Sequence, residues 1–152
     1  MKKLPPIQKI HEAYSAIADN RIVMGEHSAK VASSDYKKVY KVTWDGNLYT
    51  SNDNGSYWQG YAGYPMIAVL MLQEKLPLNR NVADNFKGIN WTELNAKHKA
   101  DYEKAVGEVI DGLQEKGADT GEINVEINNV YEKIKSLNIE TKRSSTPPPK
   151  SS

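Results

Sequence analysis

The sequence contains no cysteine. Disulfides, thiolate-bound zinc, iron–sulfur clusters and a thiol nucleophile are therefore excluded. It has a single phenylalanine, Phe86, so aromatic packing must come from 9 tyrosines and 3 tryptophans. It lacks a long apolar run: the longest covers residues 66–72, far short of a bilayer span. It also lacks a charge excess. With 20 basic and 19 acidic side chains the net charge is +1, which excludes a strongly basic, histone-like nucleic-acid binder. Lys2 and Lys3 are followed by Pro5, Pro6 and polar residues where a secretory leader would be apolar, so a cytoplasmic location is expected.

Catalytic and metal motifs are absent or broken. The helical zinc-protease motif needs two imidazoles one turn apart, but His11-Glu12-Ala13-Tyr14-Ser15 has serine in place of the second. There is no nucleophile elbow and no Walker loop, and Gly60 and Gly63 lack the context of a dinucleotide fingerprint. Aligned as a calcium loop, Asn52-Asp53-Asn54-Gly55 would put Thr50 and Tyr61 where carboxylates are needed. His11, His27 and His98 are dispersed, and His98 falls on an apolar stripe that suits a boundary residue. No metal and no cofactor is expected.

The 152 residues suffice for one domain and a tail. The pattern predicts an α+β fold: a small antiparallel sheet or hairpin packed with an N-terminal helix, a central buried helix and two C-terminal helices. Ile7, Ile10, Tyr14 and Ile17 mark one face of the first helix, with Pro5 and Pro6 near its first turn. Residues 21–24 and 29–33 read as short strands. In residues 38–44 the set Lys38, Tyr40, Val42, Trp44 is the more apolar and faces a core. Asp45-Gly46 suits the positive φ of a tight hairpin, and residues 48–51 return. Residues 52–63 form a loop, and 66–75 a buried helix after Pro65. A short helical turn is expected near 81–86.

Thr92 is expected to cap a long helix running to about residue 115, with Gly117 as its stop. Asp119-Thr120-Gly121-Glu122 has capping-box spacing. Ile123, Ile127, Val130, Ile134 and Leu137 then form a narrow stripe that suits either the domain body or a second copy of the chain. The expected division is one compact domain over 1–138, with its C-terminal helices at 92–138, and a disordered tail over 139–152. Charge is segregated: residues 1–100 carry +4, residues 101–140 carry −6 and residues 141–152 carry +3.

Six of the nine tyrosines fall at positions 36, 40, 49, 57, 61 and 64, joined by Trp44 and Trp58. Tyr40, Trp44 and Tyr49 suit a core. Tyr57, Trp58 and Tyr61 lie in the glycine-bearing loop and are the candidates for an exposed contact surface, with Lys37, Lys38 and Lys41 interleaved. Lysines beside aromatic rings can hold a phosphate while a ring stacks a base. Aromatics beside Asn and Asp can equally hold a sugar or a peptide.

Residues 21–75 resemble a SWIM zinc-finger domain. Val31-Ala32-Ser33-Ser34 and Tyr40-Lys41-Val42 are similar to that family's turn and strand. Tyr49-Thr50-Ser51-Asn52-Asp53 stands where the family has Cys-x-Cys-Pro-Asp, and Tyr64-Pro65-Met66-Ile67-Ala68-Val69-Leu70 where it has Cys-Lys-His-Val-Ala-Ala-Leu. All four ligand positions, Tyr49, Ser51, Tyr64 and Met66, have departed from zinc chemistry. The resemblance implies a zinc-independent interaction module. It also suggests that Tyr49, Tyr64 and Met66 converge as a packed nucleus in place of the metal.

The leading expectation is a non-catalytic module whose aromatic loop binds a protein, ahead of a nucleic acid, with no membrane role. The first alternative is an assembly protein that forms a homodimer through the 123–137 stripe. The second is an enzyme for a small polar substrate, using Asp53, His27 or Glu26 beside the loop.

Overall fold

The computed structural model describes residues 3–150. The alternation in the strand segments carries through into pairing. β1 (Ile22–Met24), β2 (Ser28–Ala32), β3 (Val39–Asp45) and β4 (Leu48–Ser51) form an antiparallel meander in sequence order. Gly46 takes φ +58° in the β3–β4 turn, where its lack of a side chain removes the cost of that conformation. Opposite Trp44 lies Tyr49, and opposite Val42 lies Ser51. The inner face buries Ala29, Val31, Tyr40, Val42 and Tyr49, and the outer face exposes Lys30, Val39 and Lys41.

The remaining elements are α1 (Gln8–Ala18), a π-helical turn (Gly55–Gln59), α2 (Tyr64–Leu72), α3 (Arg80–Asp84), α4 (Trp91–Lys97), α5 (Tyr102–Glu115), α6 (Thr120–Ser136) and β5 (Glu140–Thr141). α2 packs against β3 and β4 on one side and α1 on the other. Being enclosed on both sides, it is apolar all round instead of striped. α1 in turn meets α3, α5 and α6, so it too is buried along most of its length. Among the described residues no helix is long and apolar enough to cross a membrane.

Several expectations are corrected. The helix placed over residues 92 to about 115 is two helices, so three and not two helices follow α3. Lys99 and Ala100 both adopt left-handed φ, +54° and +63°, and break the chain direction between them. Asn90, and not Thr92, caps α4 by accepting the Glu93 N–H at 3.0 Å, and Asp101 caps α5.

The segment expected to be a disordered tail contributes β5, which pairs in parallel with β4. The sheet is therefore mixed, not purely antiparallel. The pairing continues as the Lys142 N–H donates to the Tyr49 carbonyl at 3.0 Å, and Asn52 Nδ2 donates to the Pro147 carbonyl at 3.3 Å. An otherwise open β4 edge supplies the donors and acceptors that hold the segment. Ser151 and Ser152, also placed in that tail, lie outside the described residues.

The stripe proposed for a homodimer faces inward. Ile123, Ile127, Val130 and Ile134 are buried within this chain, and Leu137 packs at the edge of the same core. The apolar surface is consumed by α1, α3 and α5, which leaves none of it for a second copy.

Candidate functional site

Residues 52–63 form a wall between two concave regions. Asp53 anchors that wall. Its Oδ1 accepts the Ser51 hydroxyl at 2.5 Å and its Oδ2 accepts the Ser56 N–H at 3.1 Å. Ser56 Oγ then accepts the Gly63 N–H at 3.0 Å. A Cβ at Gly63 would overlap the Asp53 carboxylate, and one at Gly55 would stand 2.6 Å from the Tyr61 ring. Both glycines are required by close approach.

On one side of the wall lies a cleft of about 290 Å³. Four charged side chains from α1, the α1–β1 turn and the loop meet there: Lys9, Glu12, Arg21 and Asp53, exposed by only 8, 6, 4 and 6%. Lys9 Nζ donates to Glu12 Oε2 at 3.1 Å and sits 3.8 Å from the centre of the Tyr102 ring. Burial acts to lower the Lys9 pKa, but Glu12, with Tyr102 and Tyr61, outweighs it and leaves the ammonium held above its ordinary range. Glu12 Oε1 accepts from Asn95 Nδ2 at 3.2 Å. Arg21 donates through Nη1 to the Ala32 carbonyl at 2.7 Å, and its Nε lies 3.6 Å from Asp19 Oδ2.

Tyr40 and Tyr64 meet edge to face with centroids 6.2 Å apart. Burial, reinforced by Asp53, pushes the Tyr40 phenol up to about 12. Burial likewise raises Tyr61 and Tyr64. These phenols therefore stay protonated and able to donate.

On the other side, Tyr57 and Trp58 stand edge to face at 4.7 Å. The Arg143 guanidinium lies 4.9 Å from the Tyr57 ring and 5.9 Å from the Trp58 ring. Trp58 is 60% exposed. A groove of about 300 Å³ runs beside these rings, with Met66 in its wall and Lys142 along the C-terminal segment.

The structure thus divides the residues expected to act together. Tyr57 and Trp58 form a surface pair, as expected. Tyr61, expected to be exposed, is 8% exposed because the π-helical turn directs its ring inward beneath Gly55. Lys37 and Lys38 lie in the β2–β3 connection, where their N–H groups are tied to Asp35 and Ser33. Lys41 projects from the outer face of β3. The cation beside the aromatic pair is instead Arg143.

Tyr49 and Met66 belong to the same buried core, and Tyr64 packs against it. The Tyr49 hydroxyl donates to Gln73 at 2.7 Å, past the C-terminal end of α2, and its ring stacks on Trp44. Tyr64 and Met66 occupy the helix's first turn. The Tyr49 hydroxyl bond and the Tyr64 ring contact with Tyr40 fall at opposite ends of α2. Ser51 serves Asp53. Among the described residues no group of three or more His, Asp or Glu side chains is placed to hold a metal ion. Of the residues considered for catalysis, Glu26 and His27 lie 3.7 Å apart in the exposed β1–β2 turn, while Asp53 lies in the cleft.

Lys9, Glu12, Arg21 and Arg143 were not legible as site residues. Lys9 and Glu12 lie off the apolar stripe of α1, a position that ordinarily means solvent. Arg143 sits in a segment whose composition reads as unstructured.

The fold is of α+β type, with a charged cleft on one side of the 52–63 loop and an exposed aromatic pair on the other. The family described as "Uncharacterised conserved protein UCP014422" matches residues 2–140, and the chain belongs to that family. No curated protein and no solved structure matches the chain.

Proposed function

We propose that this chain is a non-catalytic binding module that takes a protein partner on the surface of Tyr57, Trp58 and Arg143. The observation that carries the reading is Trp58, 60% exposed yet fixed by an aromatic neighbour at 4.7 Å and a guanidinium at 5.9 Å. Tryptophan, tyrosine and arginine are the residue types that dominate the energetic centres of protein interfaces. A fixed ring loses little freedom on binding. A nucleic-acid partner is less favoured because residues 101–140 carry −6.

The order of hairpin, loop and apolar helix supports the likeness to SWIM domains. In that reading Tyr49, Ser51, Tyr64 and Met66 are ligand positions turned over to packing. A cytoplasmic location is kept as part of the same proposal.

The test is a photo-crosslinking residue at Gln59, which is exposed beside Trp58. A protein captured in this way is then purified and titrated against the chain by calorimetry. Trp58→Ala should weaken that binding by about 2 kcal/mol or more. Steeply salt-dependent binding of oligonucleotides at Trp58, with no captured protein, would replace the reading with a nucleic-acid one.

A further inference from the structure

The charged cleft is not explained by docking on Trp58, which lies on the far side of the loop. Buried ionisable groups are costly unless they are paired and hydrogen-bonded. Most of those in the cleft are. Lys9 and Glu12 meet at 3.1 Å, and each Asp53 carboxylate oxygen accepts a hydrogen bond, from the Ser51 hydroxyl and the Ser56 N–H. Arg21, only 4% exposed, is the exception. Its Nη1 donates to the Ala32 carbonyl at 2.7 Å, but its Nε and Nη2 are buried with no hydrogen-bond partner among the described residues. Asp19 Oδ2 stays 3.6 Å from Nε, and the other Asp19 oxygen is taken by the Gly88 N–H at 2.8 Å. The Tyr64 phenol feels the charge of the guanidinium without being aligned to bond it. A buried cation with N–H groups left over marks a missing acceptor.

The form of the gap selects the acceptor. Nε–H and an N–H of Nη2 lie side by side on one edge of the planar guanidinium, the fork that a carboxylate fills with two parallel hydrogen bonds. The unmatched charge is a single one, which a monoanion balances. A phosphate group, with close to two negative charges at neutral pH, would overfill a cleft that already holds Glu12 and Asp53. A further donor stands near the fork. The Arg21 guanidinium lies 5.9 Å from the Tyr64 ring and the Tyr40 ring lies 6.2 Å from it, so Arg21 and Tyr40 flank one tyrosine. The Tyr40 hydroxyl has no hydrogen bond among the described residues and is not sealed from solvent, although the residue as a whole is buried. The rest of the lining is aromatic, with the rings of Trp91 and Tyr102 among the walls. Such rings suit the apolar body of a ligand whose polar end is fixed elsewhere.

We propose that this cleft binds a small organic acid with one carboxylate, held by the Nε and Nη2 edge of Arg21 and the Tyr40 hydroxyl. Its apolar body lies against the rings of Trp91 and Tyr102. The carboxylate supplies the acceptor that the buried guanidinium lacks. Tyr61 lines both this cleft and the groove beside Trp58, whereas Arg21 and Tyr40 line the cleft and not that groove. Variants at Arg21 and Tyr40 therefore test the acid site apart from the partner surface.

The test is an NMR titration of the full chain with acetate, butyrate and benzoate, each to millimolar excess at constant ionic strength. Benzamide is the neutral counterpart of benzoate, and inorganic phosphate is the competing anion. At least one of the three acids should shift the Arg21 Nε–H, the Trp91 indole and the Asn95 amide saturably while the Trp58 indole stays in place. Benzamide and phosphate should leave these signals unmoved. Arg21→Lys keeps the charge and loses the fork, and Tyr40→Phe loses one hydroxyl. Each should weaken the binding about tenfold or more, the size of a lost hydrogen bond to a charged group. Arg21 also holds the Ala32 carbonyl, so if Arg21→Lys does not fold, Tyr40→Phe decides. The proposal is overturned if no acid moves the Arg21 and Trp91 signals, which would leave the guanidinium to water. It is equally overturned if benzamide or phosphate binds as well as the acids, or if Tyr40→Phe binds unchanged.

Discussion

Lys9 and Glu12 are three residues apart on α1, and their charged ends meet at 3.1 Å with about nine-tenths of each side chain out of water. Removing one partner strands the other. Lys9→Met should therefore lower stability by about 3–5 kcal/mol, whereas Lys9→Met with Glu12→Leu should recover most of that loss. Urea denaturation of the four proteins in this cycle measures the coupling, and additive effects would show that the two charges do not depend on each other. His11 poses a different problem at the same scale. It is buried edge to face on Phe86 at 5.6 Å, and its Nδ1 has no hydrogen-bond partner among the described residues. Burial lowers its pKa to about 4. The unfolded imidazole, with its ordinary value near 6.5, binds its proton first as the pH falls. The stability tied to a neutral His11 is thus complete above about pH 6.5 and is lost towards pH 4, amounting to about 3 kcal/mol. Denaturation measured across that window should show this slope, and His11→Gln should flatten it.

The break between α4 and α5 shows how an element is decided. Residues 95–100 are mostly adequate helix formers, and Leu94, His98 and Tyr102 keep helical spacing across the break. A continuous helix was the natural reading. The signal against it was Asp101, an N-cap residue whose carboxylate accepts the Lys104 N–H at 3.2 Å. The left-handed Ala100 is the cost of turning the chain at the cleft. Ala100→Gly should relieve about 1 kcal/mol of backbone strain and raise the melting temperature, as read by circular dichroism. A fall would mean that the greater freedom of glycine in the unfolded chain outweighs the relief.

For the whole molecule, α6 is the clearest instance of a pattern with two uses. Its spacing of four and three suits a partner helix on another chain as well as a groove on its own. The fold takes the second course, with Ile127 and Ile134 buried against the body of the same chain and the Tyr131 hydroxyl tied to the Pro5 carbonyl at 3.0 Å. Ile127→Asp should therefore unfold the protein, at a cost of about 4 kcal/mol or more, instead of releasing a folded monomer. Circular dichroism with sedimentation velocity separates these outcomes, and a folded, smaller species would restore the dimer reading.

The parts legible in the sequence are those set by neighbours along the chain. Asp45-Gly46 determined a turn because positive φ is a property of one residue. Asp119 determined the start of α6 because its carboxylate reaches an N–H only three residues on, at 3.0 Å. The uniform apolarity of residues 66–72 determined a buried helix, and the glycines and polar residues of 52–63 marked a connecting loop. The tertiary structure alone decided which way that loop turns its rings, with Tyr61 inward and Trp58 outward. It alone gave the C-terminal segment a strand to pair with. It alone built the cleft, because Lys9, Arg21, Asp53 and Asn95 become neighbours only when α1, the 52–63 loop and α4 pack together, and burial and charge pairing depend on distances in space that no local pattern records.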